Sequence, residues 1–464
     1  MIRTARRLLL IPAVALLMLG APALALDTPQ PPPPSTTDVP LALPAEAGPG
    51  ARAEADTPAD LVGVKWAGDP GTQFKVEVQR PGSDRWEDAG TLGSEDTAPD
   101  PGSPDARASL RANDGANATE PLAVGDVSDV RITVVSGSVD TASVVAVSSE
   151  PTGAPSGSAG ALGLGGALPD GPDRFGYAVA LVLAGLVLGA VALGWSPWRS
   201  RRQVALLSVL GLVALAACTP PSPNTTNTPQ PPITMRSSWG PDLPWNPSED
   251  CAPGPELAGT VNFIVVHHTV NSNDYSPSQS REWVRNIWAY HRYTLNYCDI
   301  AYNFIIDKYG QIFEGRMGGI DRPVIAAHTG GFNIESSGIA LLGNFTDAQP
   351  TAAAWNALVD LTAWKLSVHF KNPADGFTAV SNGYGARWPA GTSVSFPNRI
   401  VGHRDLWPTA CPGDAFYPRL PELRSAVQPR VGWEPGAPPP PPPTASTTTT
   451  TTTVPSSTTS TTLH

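Results

Sequence analysis

Cysteine, histidine and methionine are scarce, at four, seven and four residues in a chain of 464. Four cysteines are too few to staple a chain of this length, so hydrophobic cores must hold its folded parts. Charge is thin as well, at 15% of residues, and leans acidic, with a net charge of −11. Counted along the chain, residues 27–175 hold 23 acidic and 9 basic side chains, while residues 234–430 hold 17 and 15. No basic patch stands out, which argues against nucleic acid as a partner, and the acidity reads as a polar outer face.

Proline is plentiful, with 52 residues, and it gathers with Ser, Thr and Ala in tracts that cannot bury a core. The length suggests two or three domains, and the tracts mark where they part. Arg3, Arg6 and Arg7 precede an apolar run and Ala23-Leu24-Ala25, the layout of a secretory signal peptide over residues 1–25. An uncleaved membrane anchor is the alternative. Residues 26–57 read as a disordered linker.

From 58 to 150 the pattern becomes short alternating runs, such as Phe74-Lys75-Val76-Glu77-Val78 and Val130-Arg131-Ile132-Thr133-Val134. These predict antiparallel strands in a small all-β, sandwich-like domain. It holds no Cys and no His, so it reads as a non-catalytic accessory module, either binding cell-wall material or serving as a spacer. Residues 151–174 form a linker. Residues 175–195 are long and apolar enough for a transmembrane helix, and Arg199, Arg201 and Arg202 place its far end in the cytoplasm. A second hydrophobic segment, 203–218, ends in Leu215-Ala216-Ala217-Cys218. It is either a short second span or a lipobox-like signal. A Pro/Thr linker, 219–233, and a Pro/Thr-rich disordered tail, 431–464, complete the chain. This layout puts both folded domains outside the cytoplasm, tethered to a membrane of the cell envelope.

The unit at 234–430 carries the chemistry. Phe263–His268 reads as a buried strand, Gly338–Leu342 as another, and residues 301–315 as a hairpin around Lys308-Tyr309-Gly310. Ser276-Pro277 caps a helix reaching about Tyr293, and Thr351 caps one with an inner stripe of Trp355, Leu358, Val359, Thr362 and Leu366. A last helix is expected over 417–427. The fold class is α/β, a mixed central sheet flanked by helices.

His403 and Cys411 lie eight residues apart on a run broken by Pro408 and Pro412, so a loop rather than one helical face must bring them together. Imidazole and thiolate are ligands zinc prefers, and a catalytic zinc needs three protein ligands and one open position. The third ligand is sought in Val266-His267-His268-Thr269, where residue chemistry does not choose between the two histidines.

Seven motifs then appear in order: Arg236-Ser237-Ser238-Trp239-Gly240, Val266-His267-His268-Thr269, Asp299-Ile300-Ala301-Tyr302-Asn303-Phe304, Phe313-Glu314-Gly315-Arg316, Ala327-His328-Thr329, Gly338-Ile339-Ala340 and Gly402-His403-Arg404-Asp405. Over about 234–427 the sequence resembles the peptidoglycan-recognition and type 2 N-acetylmuramoyl-L-alanine amidase family. The resemblance implies a Zn²⁺ cofactor on His267, His403 and Cys411. It implies catalytic roles for Tyr302, beside the metal, and Thr409, facing the developing oxyanion. It implies that His268, His291, His328 and Asn333 contact muramyl peptide, so that peptidoglycan is the partner. Asp405 is read as a partner of a ligand or an Arg, or as a loop brace, and Glu314 as a structural partner of Arg316, with a general base as the alternative. Leu295 stands where some relatives carry Arg, which leaves the choice of stem peptide open. With Cys411 a ligand and Cys218 at the membrane, Cys251 and Cys298 remain for a disulfide, with two free thiols as the alternative. The expected activity is hydrolysis of the lactyl–L-Ala amide of peptidoglycan; a recognition module that binds without cutting is the competing expectation.

Overall fold

The computed structural model describes residues 32–94, 96–113, 115–149, 228–252, 254–383 and 385–431. The expected signal peptide, the two hydrophobic segments with their linker, and the tail after 431 lie outside the described residues. Among the described residues no helix is long and apolar enough to cross a membrane.

The first folded unit is an antiparallel sheet of β1 (Ser35–Pro40), β2 (Arg52–Gly68), β3 (Gln73–Gln79), β4 (Trp86–Leu92), β5 (Asn117–Ala118), β6 (Leu122–Ser136) and β7 (Val139–Ser148), in the order β1-β7-β2-β6-β3-β4 with β5 on β2. One correction follows. The strands begin inside the stretch expected to be a disordered linker: β1 pairs along β7, and Ala53, Ala55, Thr57 and Ala59 of β2 turn inward between exposed Arg52, Glu54 and Asp56. An alternation written in alanine is weakly hydrophobic and looks like linker composition, yet it still marks one buried face. Hydrogen bonds join all seven strands into one sheet, which encloses a core drawn from its own strands. Period-two patterning reports a buried face, not how strands connect.

The second unit is a mixed six-stranded sheet in the order β15-β9-β12-β10-β11-β8, built from β8 (Ile233–Thr234), β9 (Phe263–His268), β10 (Phe304–Ile306), β11 (Ile312–Glu314), β12 (Ser336–Leu341) and β15 (Ile400–Gly402). A separate ribbon pairs β13 (Phe377–Val380) with β14 (Ser393–Phe396). The central strands β9 and β12 are parallel and buried throughout, which is why they read as apolar runs without alternation. Helix α3 (Ala352–Val368), capped by Thr351, and α4 (Leu420–Val427) cover one face. Helix α2 (Pro277–Ala289) covers the other. It opens in a capping box: the Ser276 hydroxyl accepts from Gln279 N, and the Gln279 side chain accepts from Ser276 N at 2.8 Å. The α-helix stops at Ala289, and the rest of the expected helix is a π-turn over Tyr290–Thr294, whose wider step turns His291 inward. Cys251 and Cys298 form the expected disulfide.

The two units share a core. Leu61, Ala123, Val145 and Val147 of the β sheet pack in one apolar cluster with Trp283, Val284, Ile287, Trp288 and Tyr290. The contact is close enough that a Cβ on Gly63 would lie 2.4 Å from the Tyr290 hydroxyl oxygen, so only glycine fits there. The Tyr290 hydroxyl donates to Thr119 O at 2.8 Å.

Removing the disulfide by Cys251→Ala with Cys298→Ala, partners 47 residues apart, should lower the unfolding free energy by about 2–4 kcal/mol. Urea titration of the two forms measures it, and an unchanged midpoint would contradict the expectation.

Candidate metal centre

Strand β9 decides between the two histidines. Ile264, Val266 and His268 share one face and pack toward α3, whereas Phe263, Val265 and His267 share the other. His268 therefore points away from the groove, where its Nδ1 accepts the Phe345 backbone N–H at 3.2 Å. Burial, with Arg404 nearby, holds it neutral, its pKa pushed down to about 4. The expected substrate contact of His268 is thus replaced by a structural one. Its backbone N–H still serves the site by donating to Cys411 Sγ at 3.4 Å.

His267 meets the loop that follows β15. Ligand atoms of His267, His403 and Cys411 all lie within 4.8 Å of one another, and all three residues are buried. Cys411 Sγ is 3.8 Å from His267 Nδ1. A tetrahedral ion with ligands at about 2.0–2.3 Å sets its donors roughly 3.3–3.8 Å apart, so the Cys411–His267 separation fits zinc. Both ring nitrogens of His403 are buried without a hydrogen-bond partner, an arrangement that is costly unless a metal takes one of them. Burial and the neighbouring histidines push His267 and His403 well below the usual range, so both are the neutral imidazoles a metal requires. Burial, with the Glu120 and Asp96 carboxylates nearby, pushes the Cys411 thiol well up.

His328 stands behind the ligands, not along an open groove. Its Nδ1 is 3.1 Å from His267 Nε2 and 2.9 Å from Thr329 Oγ1, and its Nε2 is 3.2 Å from Ser336 Oγ. These partners assign Nε2–H of His267 as donor to His328, which leaves Nδ1 of His267 for the metal. Gly338 makes room for the ring, because a Cβ there would come within 2.4 Å of it.

Tyr302 lies beside the centre, its ring 5.4 Å from that of His267 and 5.7 Å from that of His291. His291 is fully buried; its Nδ1 accepts from Ala301 N at 3.0 Å while its Nε2 has no hydrogen-bond partner. Thr409 accepts from Cys411 N at 2.9 Å. Asp405 is a loop brace, accepting from Gly402 N and from the Tyr417 hydroxyl. Glu314 does not pair with Arg316. It accepts from Arg236 N at 2.8 Å, while Arg316 makes two bonds of 2.6 and 2.8 Å to Asp105 of the β domain.

The β domain reaches the site at more points than that pair. Between β4 and β5 the chain makes an excursion that includes helix α1 (Pro104–Asn113), and its ends meet in a bridge between Ser94 and Thr119. The Thr409 hydroxyl donates to Asp96, whose carboxyl burial pushes up to about 6. Asn333 donates through Nδ2 to Ala98 O at 2.8 Å and to Asp100 Oδ1 at 3.1 Å, and accepts Thr329 N on Oδ1. Asp100 also takes Gly331 N at 2.7 Å and Asn382 Nδ2 at 3.2 Å. These acids carry no motif, and nothing local in the sequence marks them as site residues.

A family model described as N-acetylmuramoyl-L-alanine amidase matches residues 257–414. Peptidoglycan recognition protein 1 of Mus musculus is 32% identical over 186 residues, 40% of this chain and 84% of that protein. The chain belongs to the peptidoglycan-recognition and N-acetylmuramoyl-L-alanine amidase family. Another member, the peptidoglycan recognition protein of Trichoplusia ni, is 32% identical over 35% of this chain and 74% of its own length. Among solved structures, Drosophila PGRP-LB aligns with 41% of this chain and 92% of its own, at 24% identity and a TM-score of 0.32. The fold brings the ligand atoms of His267, His403 and Cys411 within 4.8 Å of one another, with Tyr302 beside His267 and Thr409 bonded to the Cys411 backbone.

Two expectations follow. His267→Ala, His403→Ala and Cys411→Ser should each abolish stoichiometric zinc measured by elemental mass spectrometry, while His268→Ala keeps about one zinc per chain; loss in His268→Ala would reverse the assignment. His291 is held neutral by burial, with Arg316 nearby, its pKa pushed down to about 3. Its contribution to stability is therefore complete above the unfolded value of about 6.5. It is lost as pH falls toward 3, because the unfolded chain takes a proton the native one refuses, at up to about 1.4 kcal/mol per pH unit. His291→Gln should flatten the pH dependence of urea stability between pH 6 and 4 by roughly that slope, and an unchanged slope would contradict it.

Proposed function

We propose that the protein is a zinc-dependent N-acetylmuramoyl-L-alanine amidase that hydrolyses the amide between the lactyl group of N-acetylmuramic acid and L-alanine in peptidoglycan. The observation that carries this reading is the buried convergence of His267, His403 and Cys411, with both His403 ring nitrogens unpartnered. Two imidazoles and a thiolate leave one tetrahedral position open, the pattern of a catalytic rather than a structural zinc. Zinc, when bound there, polarises a carbonyl and acidifies water at neutral pH.

The protein's own groups supply the rest. His328 holds the His267 tautomer and ring plane. The Tyr302 hydroxyl, and the Thr409 hydroxyl once it leaves Asp96, would donate to the oxyanion of the tetrahedral adduct, and each such donor contributes about 10²–10³ in rate. The Cys251–Cys298 disulfide supports an oxidising compartment outside the cytoplasm. A recognition module without hydrolysis is the second reading; the contact that Asp96 makes with Thr409 favours it, since it engages a catalytic donor.

At high loading, zinc-bound full chain incubated with purified peptidoglycan should release stem peptides beginning with a free L-alanine amine, detected by mass spectrometry. A chelator and Cys411→Ser should each abolish release, and Tyr302→Phe should slow it about 10²-fold or more. Intact muropeptides that co-sediment with the protein would leave the recognition reading instead.

A further inference from the structure

The excursion between β4 and β5 lays residues 96–100, which belong to no helix or strand, against the amidase unit. Thr97, Ala98, Pro99 and Asp100 are buried there. Their carbonyls and carboxylate are read one after another: Thr97 O by the Tyr297 hydroxyl at 2.9 Å, Ala98 O by Asn333, and Asp100 by Gly331, Asn333 and Asn382. Asp96 engages Thr409, and Asp105 engages Arg316 and accepts Cys298 N at 2.8 Å. Acceptor carbonyls and carboxylates in sequence along a peptide are also what a stem peptide offers.

The contact differs from the apolar seam between the sheet and α2. Helix α1 buries only Asp105, Ala106 and Ala108, leaves Leu110 65% exposed, and pairs Arg107 and Arg111 with Asp250 of the amidase unit. A cavity of about 510 Å³ remains beside it, bordered by Pro99, Leu110, Leu295, Tyr297 and Trp407. Polar links around a residual cavity suit a contact that opens, whereas the sheet–α2 seam is packed like a core.

We infer that residues 96–105 are an internal occupant of the substrate groove and that the amidase is latent until this excursion lifts away. The inference rests on the groove reading above. An occupant on the same chain competes at a high effective concentration, and a ligand's apparent Kd rises by the inverse of the open fraction.

The paired Ser94 and Thr119 provide the test, since residues 95–118, the short strand β5 included, can be replaced by an Asn-Gly turn that closes between these two bridged residues. A second variant, Asp96→Ala with Asp100→Ala, keeps the excursion and its Asp105 pair but removes the carboxylates that engage Thr409, Gly331, Asn333 and Asn382. Full chain and variants, checked for cooperative urea unfolding, are titrated with a soluble muramyl tripeptide and assayed for stem-peptide release. The expected result is a Kd at least tenfold lower in both variants, with release faster in proportion. Should the excised form fail to fold, the double substitution decides alone. Tighter binding without any release would uphold the internal occupant and remove the hydrolytic reading. Equal Kd in the wild type and the double substitution would overturn latency, and release at equal rates would then leave the amidase reading intact.

Discussion

The parallel pairing of β9 with β12 on one side and β15 on the other is the constraint on which the site depends. It aligns His267 with Ala340 and sets Gly402, the residue before His403, opposite Val266. A single-residue slip in β9 would exchange His267 for His268 and turn the ligand into the helix-facing core. The rest of the centre hangs from that register: His403 begins the turn after β15, and Cys411 returns through a loop braced by Asp405 and by Thr409.

Burial sets the electrostatics around this register. His267, His403, His328 and His291 are all kept neutral by desolvation, so the centre presents lone pairs rather than cations. Where charge is buried, it is matched: Arg316 and Asp105 face each other with two hydrogen bonds, and Arg236 with Asp299 does likewise under Trp288. Such pairs add little net stability against an apolar alternative, but breaking one strands a charge. The Arg316–Asp105 pair thus fixes how the excursion sits on the amidase unit more than it strengthens the fold.

Much of the amidase unit was legible in the sequence because its signals are local. Ser276-Pro277 with Gln279, Thr351 at the head of α3, and the turn at Lys308-Tyr309-Gly310 each name their structure within a few residues. The β domain was legible only in part. Its Val and Phe runs marked strands, but Ala53, Ala55 and Ala59 carried too little hydrophobicity to separate β2 from a linker. The roles of His328 and Glu314 were misread because a side chain's partner across the fold leaves no mark beside it; His328 turned to His267 and Arg316 to a residue 211 positions away.

The sequence by itself determined the donor set of the centre and the elements that carry it, since residue types, caps and β-strand runs are properties of short segments. Tertiary structure decided which histidine of the pair meets His403 and Cys411, which histidine stands behind it, and that acids of a domain without Cys or His reach the same place. Those outcomes depend on strand register and on the docking of one unit against another, which arise from burial shared between residues far apart in the chain.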